Sequence, residues 1–305
     1  MKKTKMFGWA LIALASFTSC TNDAEEIFSL ESEIKLTSEI TPSRVTSLDY
    51  QSTQIVEGQQ VGVTITGAKS EHKNVPWAVG ADGALTNGGD AVYYGNGTAT
   101  ITAYHPFNDV WNENTSYEFS VSTDQSSEES YRNSDLLWAT TTSSKTETAV
   151  PLTFSHMLAK INVTLTSDEI EDLSGATISI CGTNIATIFN PSTGKLSAAT
   201  ANVQEIKAGV TTEEAYTASA IVVPQTVVGN TKFIKVALGD KIFYYTLSTD
   251  KDLKSGYSHN YTLTIKEKNL KLQQNLIRLR IGQMKMVTQV MQKKLTCLGL
   301  IIINT

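Results

Sequence analysis

The sequence predicts an all-β protein, and three features support this prediction. Apolar residues alternate with polar residues along residues 45–275, a period of two that is typical of strands with one buried face. Turn-forming pairs such as Asn87-Gly88 and Asn96-Gly97 separate the alternating runs. Threonine, which is favoured in strands, occurs 40 times, whereas proline occurs six times. The hydrophobic content of 41% is sufficient for a sizeable core.

The alternation is clearest in six segments, each of which is predicted to form a strand. These segments are residues 61–66, 98–103, 161–166, 234–238, 243–247 and 261–266. No pattern typical of an amphipathic helix of three turns is present in the sequence. A single short helix is predicted near Ser167–Leu173.

Two polar stretches without periodicity, Ser122–Asn133 and Ala139–Thr148, interrupt the pattern. The first is expected to be a long loop, and the second the boundary between two β-sandwich domains of typical size. The predicted organisation has five parts. These are a signal peptide at 1–19, an N-terminal lipidated segment at 20–44, sandwiches at 45–148 and 149–275, and an atypical basic tail at 276–305.

The N-terminus has the pattern of a bacterial lipoprotein signal. Three lysines precede the apolar run Met6–Phe17, which is too short to span a bilayer. The run leads into Thr18, Ser19 and Cys20, an arrangement that resembles the lipobox after which the signal peptide is removed and the cysteine is acylated. Acyl chains on Cys20 would anchor the chain stably in a membrane.

Composition and motifs argue against several function classes. Residues 21–270 contain 16 basic and 30 acidic residues without a basic stripe, which argues against nucleic-acid binding. The sequence contains no P-loop, dinucleotide fingerprint or nucleophile elbow, so neither an enzyme nor a cofactor is expected. Four scattered histidines lack the spacing of a metal site. His156, which alternates with Leu152 and Phe154, is predicted to be structural.

Eight segments follow one another in an order that resembles the fimbrillins of Bacteroidetes, the subunits of the type V pilus. The resemblance covers roughly residues 15–275. The segments are the lipobox at Cys20, Arg44-Val45, Glu57–Val63, Asp82–Leu85, Tyr93-Tyr94, Ala103–Phe107, Asp135–Ala139 and Leu152–Ile161.

The resemblance implies two tandem transthyretin-like β-sandwiches and a route of assembly. In this family a lipoprotein precursor reaches the outer membrane, and a protease cuts after an arginine near the N-terminus. The cut releases a strand, and a neighbouring subunit's strand fills the groove. Carried over to this chain, the cut would fall between Arg44 and Val45 and release an alternating strand that contains Ile34, Leu36 and Ile40. A solvated linker role for Arg44 is the alternative.

The expected function is therefore a structural subunit of a cell-surface fimbria that supports adhesion. Its expected partners are other fimbrial subunits and, through acylated Cys20, the lipid of the outer membrane. A stalk, tip or anchor role stays open, as does the adhesion target. The alternative function is an outer-membrane surface lipoprotein that binds glycans on aromatic platforms, for which Trp77, Trp111 and Trp138 are candidates.

The C-terminal residues differ in composition from the rest of the chain. Residues 271–305 carry six basic residues and no acidic residue, and they include the apolar run Leu298–Ile303. One interpretation is an amphipathic tail that binds a membrane or a partner. The other hypothesis is a reading-frame shift within the Arg278 codon, because the shifted frame restores the acidic, tryptophan-containing end that is common in fimbrillins. In stalk members of that family this end supplies the donor strand.

Overall fold

A computed structural model describes residues 31–41, 55–111, 116–146, 148–170, 172–212, 216–270 and 274–281, with the backbone alone for 210–212, 266–270 and 274–281. The predicted all-β class is confirmed, because the described residues form strands and one short helix, α1 (Glu128–Ser134). The first nine strands are β1 (Leu36–Ile40), β2 (Gln60–Thr66), β3 (His72–Val79), β4 (Ala84–Asn87), β5 (Ala99–His105), β6 (Tyr117–Ser120), β7 (Leu137–Ser143), β8 (Val150–His156) and β9 (Ala159–Ser167).

The remaining strands follow without an intervening helix in the described residues. They are β10 (Ala176–Asn190), β11 (Lys195–Lys207), β12 (Gly209–Thr212), β13 (Thr217–Val222), β14 (Gln225–Val227), β15 (Lys232–Leu238), β16 (Lys241–Thr246), β17 (Lys251–Leu253), β18 (Ser258–Leu270) and β19 (Gln274–Ile281). All six predicted strand segments are present, as β2, β5, β9, β15, β16 and β18.

Seven of the first eight strands, all except β6, close into a barrel in the order β1-β4-β3-β2-β5-β7-β8. Most neighbours are antiparallel, but β1 runs parallel to β8 and so joins the two ends of the sheet. The interior of the barrel is filled by the inward-facing residues of the alternating segments, because successive side chains of a strand point to opposite faces. The barrel therefore depends on β1 for its closure.

The later strands form two sheets that share a second hydrophobic core. One sheet has the order β11-β10-β15-β16, with β6 also paired to β10, and the other has the order β12-β13-β9-β18-β19. Strands β14 and β17 pair separately. Inward residues from both sheets, such as Val163 and Val236, contribute to this core. Facing sheets around one core form a β-sandwich.

Among the described residues, both cores lie within one compact unit that begins at Ser32. The barrel core draws on residues 34–154, and the sandwich core draws on residues 104–265. The predicted boundary at residue 148 precedes β8, which belongs to the barrel, and the predicted end of the second domain at 275 falls within β19. The division into two tandem domains stays a prediction.

The helix prediction was wrong in position. The described residues between Ser167 and Leu173 contain no helix, because the Ser167 hydroxyl accepts hydrogen bonds from the N–H groups of Glu169 and Ile170 at 3.1 and 2.9 Å and holds a turn. The helix instead lies in the stretch that was expected to be a loop and ends one residue beyond it, at Ser134. Its N-cap is Ser127, whose hydroxyl accepts from the N–H of Ser130.

Tyr104 packs the end of β5 against the second core. Its hydroxyl donates to Asn74 Oδ1 at 2.6 Å, and its ring lies 5.0 Å from the ring of Trp111 and 6.2 Å from that of Phe189. Burial raises the pKa of Tyr104 to about 12, so its hydroxyl remains a donor at neutral pH. The ring lies directly over Gly62, where a Cβ atom would come within 2.5 Å of it.

Candidate functional site

The N-terminal strand β1 occupies the position that the fimbrillin resemblance assigns to a removable strand. One edge pairs with β8, with Leu36 opposite Val150 and Ile40 opposite Phe154. The other edge pairs with β4, where Leu36 lies opposite Leu85. Because both edges are paired, β1 is an interior strand of the barrel.

Hydrogen bonds continue beyond both ends of β1. On the N-terminal side, the N–H of Ile34 donates to the carbonyl of Val92 at 2.7 Å, and the N–H of Tyr94 donates to the carbonyl of Ser32 at 3.0 Å. On the C-terminal side, the N–H of Thr41 donates to the carbonyl of Phe154 at 2.8 Å. The segment from Ser32 to Thr41 is thus held along its whole length by backbone pairing.

Three apolar side chains of this segment point into the barrel core. Ile34 and Leu36 are each 2% exposed and Ile40 is 8% exposed, whereas Glu39 between them faces solvent. Full burial of an Ile or Leu side chain contributes about 1.5–3 kcal/mol relative to exposure. The three side chains together therefore stabilise the binding of this segment in the barrel by on the order of 5 kcal/mol.

Strand β8 depends on β1 for most of its pairing. On its other side, β8 pairs with β7 only at Leu137–His156 and Trp138–Ser155. The residues Val150–Phe154 therefore have β1 as their strand partner among the described residues. Removing β1 would expose the edges of β4 and β8 and leave a groove lined by the apolar core, the kind of edge to which another strand adds.

The other predicted site residues lie outside the described residues. Cys20, Arg44 and Val45 belong to this group, and their roles stay predictions. Ile34, Leu36 and Ile40 are brought together on the inner face of the segment Ser32–Thr41. The structure adds two buried residues of this segment, Ser32 and Ser38, which the sequence analysis did not single out.

The three tryptophans considered as glycan platforms are not freely exposed. Trp77 is 3% exposed, and its indole N–H donates to His72 Nε2 at 2.7 Å. Trp111 is 4% exposed within an aromatic cluster with Tyr104 and Phe189. Trp138 is half-buried, and its N–H donates to the carbonyl of Pro191. Two buried rings and one half-buried ring do not form an exposed stacking surface.

Three buried polar residues, His105, Asp135 and His156, lie near one end of the barrel strands β5, β7 and β8. His105 lies opposite Leu137 in β7, and Leu137 lies opposite His156 in β8. His156 Nδ1 lies 3.0 Å from Asp135 Oδ1. His105 is the last residue of β5 and is 3% exposed.

The two histidines respond oppositely to this environment. Burial lowers the pKa of His105 to about 4, against smaller opposing effects of Asp135, while the charge of Arg132 lowers it further. Burial also lowers the pKa of His156, but the charge and hydrogen bond of Asp135 outweigh this, and the net pKa is raised despite repulsion from Lys160. His105 is therefore neutral at pH 7, which suits its buried Nδ1 that has no hydrogen-bond partner.

Acidification is expected to destabilise the fold through His105. Its pKa is about 4 in the fold against an ordinary value of 6.5, so below pH 6.5 the unfolded chain binds a proton that the folded chain does not. The free energy of unfolding should then fall by up to about 3 kcal/mol as the pH decreases to 4. Urea unfolding at pH 7 and pH 4 should show a smaller loss for His105→Gln than for the wild type.

His156 provides the matched comparison because its contribution has the opposite sign. With a raised pKa, its pairing with Asp135 stabilises the fold below pH 6.5, and this contribution disappears as the pH rises through the folded pKa. His156→Gln should therefore cost most at acidic pH. An identical pH dependence in the wild type and His105→Gln would contradict the assignment to His105.

Among the described residues, no group of three or more His, Cys, Asp or Glu side chains is arranged to hold a metal ion.

Among the described residues, no helix has the length and apolar character needed to cross a membrane.

Solved structures share this fold. A candidate cell adhesion protein from Bacteroides ovatus ATCC 8483 is similar at 19% identity with a TM-score of 0.60, covering 77% of this chain and 92% of that chain. Another from Bacteroides uniformis ATCC 8492 is similar at 18% identity with a TM-score of 0.58, covering 82% of this chain and 97% of that chain. At these identities the likeness shows the fold. No curated protein sequence matches the chain.

The sequence itself matches a family model. The model is described as fimbrillin-like, and it matches residues 43–278. The match begins just after β1 and extends into β19, so it includes nearly all of the barrel and the sandwich. It supports a pilus-type structural role in adhesion at the cell surface, and because it spans more than half of the sequence, the chain belongs to the fimbrillin-like family.

Proposed function

We propose that this chain is a fimbrial subunit that polymerises after its N-terminal strand has been removed. In this proposal Cys20 is acylated and anchors the precursor in the outer membrane. Cleavage between Arg44 and Val45 separates β1 and the lipid from the rest of the chain. A strand of a neighbouring subunit then enters the barrel between β4 and β8, so that the partners are other copies or other fimbrial subunits.

The position of β1 is the observation that carries this proposal. The strand closes the barrel, and it precedes all other barrel strands in the chain. Its covalent link to them is therefore the segment that follows it, which contains Arg44. Cutting there would leave β1 held by hydrogen bonds and the burial of Ile34, Leu36 and Ile40. An incoming strand can replace both kinds of interaction, because backbone pairing is common to all strands and the apolar pockets accept alternate side chains.

The Arg44→Ala variant is expected to remain monomeric and lipidated. Without the arginine the protease would not release β1, so the groove would stay filled by the chain's own strand. Electrophoresis of surface material without boiling would show the loss of the ladder of SDS-resistant oligomers, and labelling with a fatty acid would show the lipid still attached. Ser47→Ala, which keeps the arginine, is the control and should form the same oligomer ladder as the wild type. A normal oligomer ladder from Arg44→Ala would contradict this route.

Intact mass spectrometry of protein sheared from the native bacterium tests the precursor and the product directly. A species that begins at Val45 within SDS-resistant oligomers is expected. A species that still begins at acylated Cys20 within polymers would contradict strand removal. The same mass defines the C-terminus and so distinguishes the basic tail at 276–305 from the frame-shifted acidic end. The donor strand is proposed to come from the C-terminal segment that the native gene encodes.

A further inference from the structure

Ser38 interrupts the apolar inner face of β1. It is 2% exposed and lies between two large apolar residues of the same face, Leu36 and Ile40. Its hydroxyl donates to the carbonyl of Gly83 at 3.0 Å, and its backbone N–H donates to the same carbonyl at 2.8 Å. One residue of the strand thus satisfies both lone-pair directions of one carbonyl oxygen, whereas a purely apolar strand would supply only the N–H.

The Gly83 carbonyl is held firmly by its own turn. Gly83 has a φ of 79°, a conformation that favours glycine, and its N–H donates to the carbonyl of Gly80 at 3.0 Å. The N–H of Gly80 in turn donates to the carbonyl of Ala84 at 2.8 Å, and the N–H of Ala84 donates to Asp82 Oδ1 at 3.0 Å. The turn belongs to the barrel that remains if β1 leaves, so the acceptor would stay in place.

We infer that the Gly83 carbonyl sets the register of the strand that fills this groove and selects for a serine-sized hydroxyl residue at that position. The inference rests on the proposed strand exchange for its biological partner, a neighbouring subunit's strand. That strand should carry large apolar residues at the positions of Ile34, Leu36 and Ile40, and a serine at the position of Ser38.

The apolar pockets alone would not define one register. A slip of one residue turns the inner face outward and is excluded by the burial pattern. A slip of two residues keeps the same face inward and replaces one large apolar side chain by the next one along the strand. The pockets for Leu36 and Ile40 therefore tolerate this slip better than a slip of one residue. It would also bring a large side chain to Gly83 and move the serine hydroxyl into an apolar pocket without a partner. The polar position therefore distinguishes the correct register from its nearest competitor.

The intact chain tests the hydrogen bond without any strand exchange. Ser38→Ala removes only the hydroxyl, and its melting temperature should fall by about 2–4 °C. Ser38→Leu places a large side chain against the Gly83 carbonyl and should lower the melting temperature further. Glu39→Gln, on the exposed face of the same strand, is the control and should melt like the wild type. If both Ser38 variants melt like the control, the register claim is wrong.

The exchange experiment tests selection of the incoming strand. A full chain with a specific protease site inserted between Arg44 and Val45 is cut, and labelled peptides covering Ser32–Thr41 compete for the groove. The Ser38→Ala peptide should bind about 2- to 10-fold more weakly than the native peptide. A peptide in which Leu36 and Ser38 are swapped has the same composition and should bind at least about 30-fold more weakly. Equal binding of the native and swapped peptides would overturn the inference.

The two experiments separate this inference from the proposed function. If the native peptide fails to exchange into the cut chain, strand exchange at this groove is contradicted. The melting temperatures of the intact Ser38 variants still decide whether the hydrogen bond to the Gly83 carbonyl stabilises the resident strand. If the native peptide exchanges and the swapped peptide does so equally well, the exchange stands and the register claim falls.

Discussion

The Leu36→Ala variant is expected to lose about 2–5 kcal/mol of its free energy of unfolding. Leu36 is 2% exposed in the barrel core, opposite Val150 on one side and Leu85 on the other. Truncation leaves a cavity at one of the two β1 residues, Leu36 and Thr37, that pair with both β4 and β8. Urea unfolding monitored by circular dichroism measures this loss. The effect should be among the largest of any single change in β1.

Glu39→Ala serves as the control for Leu36→Ala because Glu39 is exposed on the other face of the same strand. Its effect should stay within about 0.5 kcal/mol. Hydrogen exchange adds a local measurement: the N–H of Val150 donates to the carbonyl of Lys35 at 2.7 Å, so its exchange should accelerate in Leu36→Ala. Unchanged protection at Val150 together with a large global loss would mean that β1 does not hold β8 in place.

The Gly62→Ala variant is expected to lose about 3 kcal/mol, at the upper end for overpacking. A Cβ at Gly62 would lie 2.5 Å from Tyr104 Cε1 and 2.7 Å from Asn74 Oδ1. The Tyr104 ring would have to move, and its hydroxyl would lose the hydrogen bond that it donates to Asn74 Oδ1. Thermal and urea unfolding should both show the loss, since Tyr104 also packs against Phe189 of the second core.

Gly88→Ala is the matched control for Gly62→Ala, because a Cβ at Gly88 meets no atom within 4 Å. It should change stability by less than about 0.5 kcal/mol. A double-mutant cycle assigns the cost to the clash: in a Tyr104→Leu background, Gly62→Ala should cost much less than in the wild type. The same cost in both backgrounds would show that the Tyr104 ring is not the obstacle.

The strand pattern could be predicted because it is local. Alternation of buried and exposed side chains needs only the period of two, and the segments around Val63, Ile101, Val163 and Val236 all form strands. Helix α1 was missed because Tyr131 is the single core-forming residue among its seven residues, and one such residue gives no apolar period. The available signal was Ser127 followed by Glu128 and Glu129, an N-cap with acidic residues in the first turn.

The burial of individual aromatic side chains was harder to predict from the sequence. Trp77 lies in β3, where the sequence pattern does not distinguish the inner face from the outer face. Its side chain is nevertheless buried and hydrogen-bonded to His72. Trp111 lies outside the strands and is buried by rings that come from β5 and β10. Whether a tryptophan forms a core or a binding platform depends on neighbours that are distant in the chain, and the glycan alternative depended on this difference.

The sequence by itself determined the all-β class, the alternation of Ile34, Leu36 and Ile40, and the membership of the fimbrillin-like family. Only the tertiary structure decided that β1 closes a barrel, because its partner β8 lies more than a hundred positions away and the pairing leaves no local trace. The same holds for Ser38, because only the tertiary structure places its hydroxyl against the Gly83 carbonyl. Backbone pairing is chemically alike for every strand, so the choice of partner emerges from the packing of the whole core.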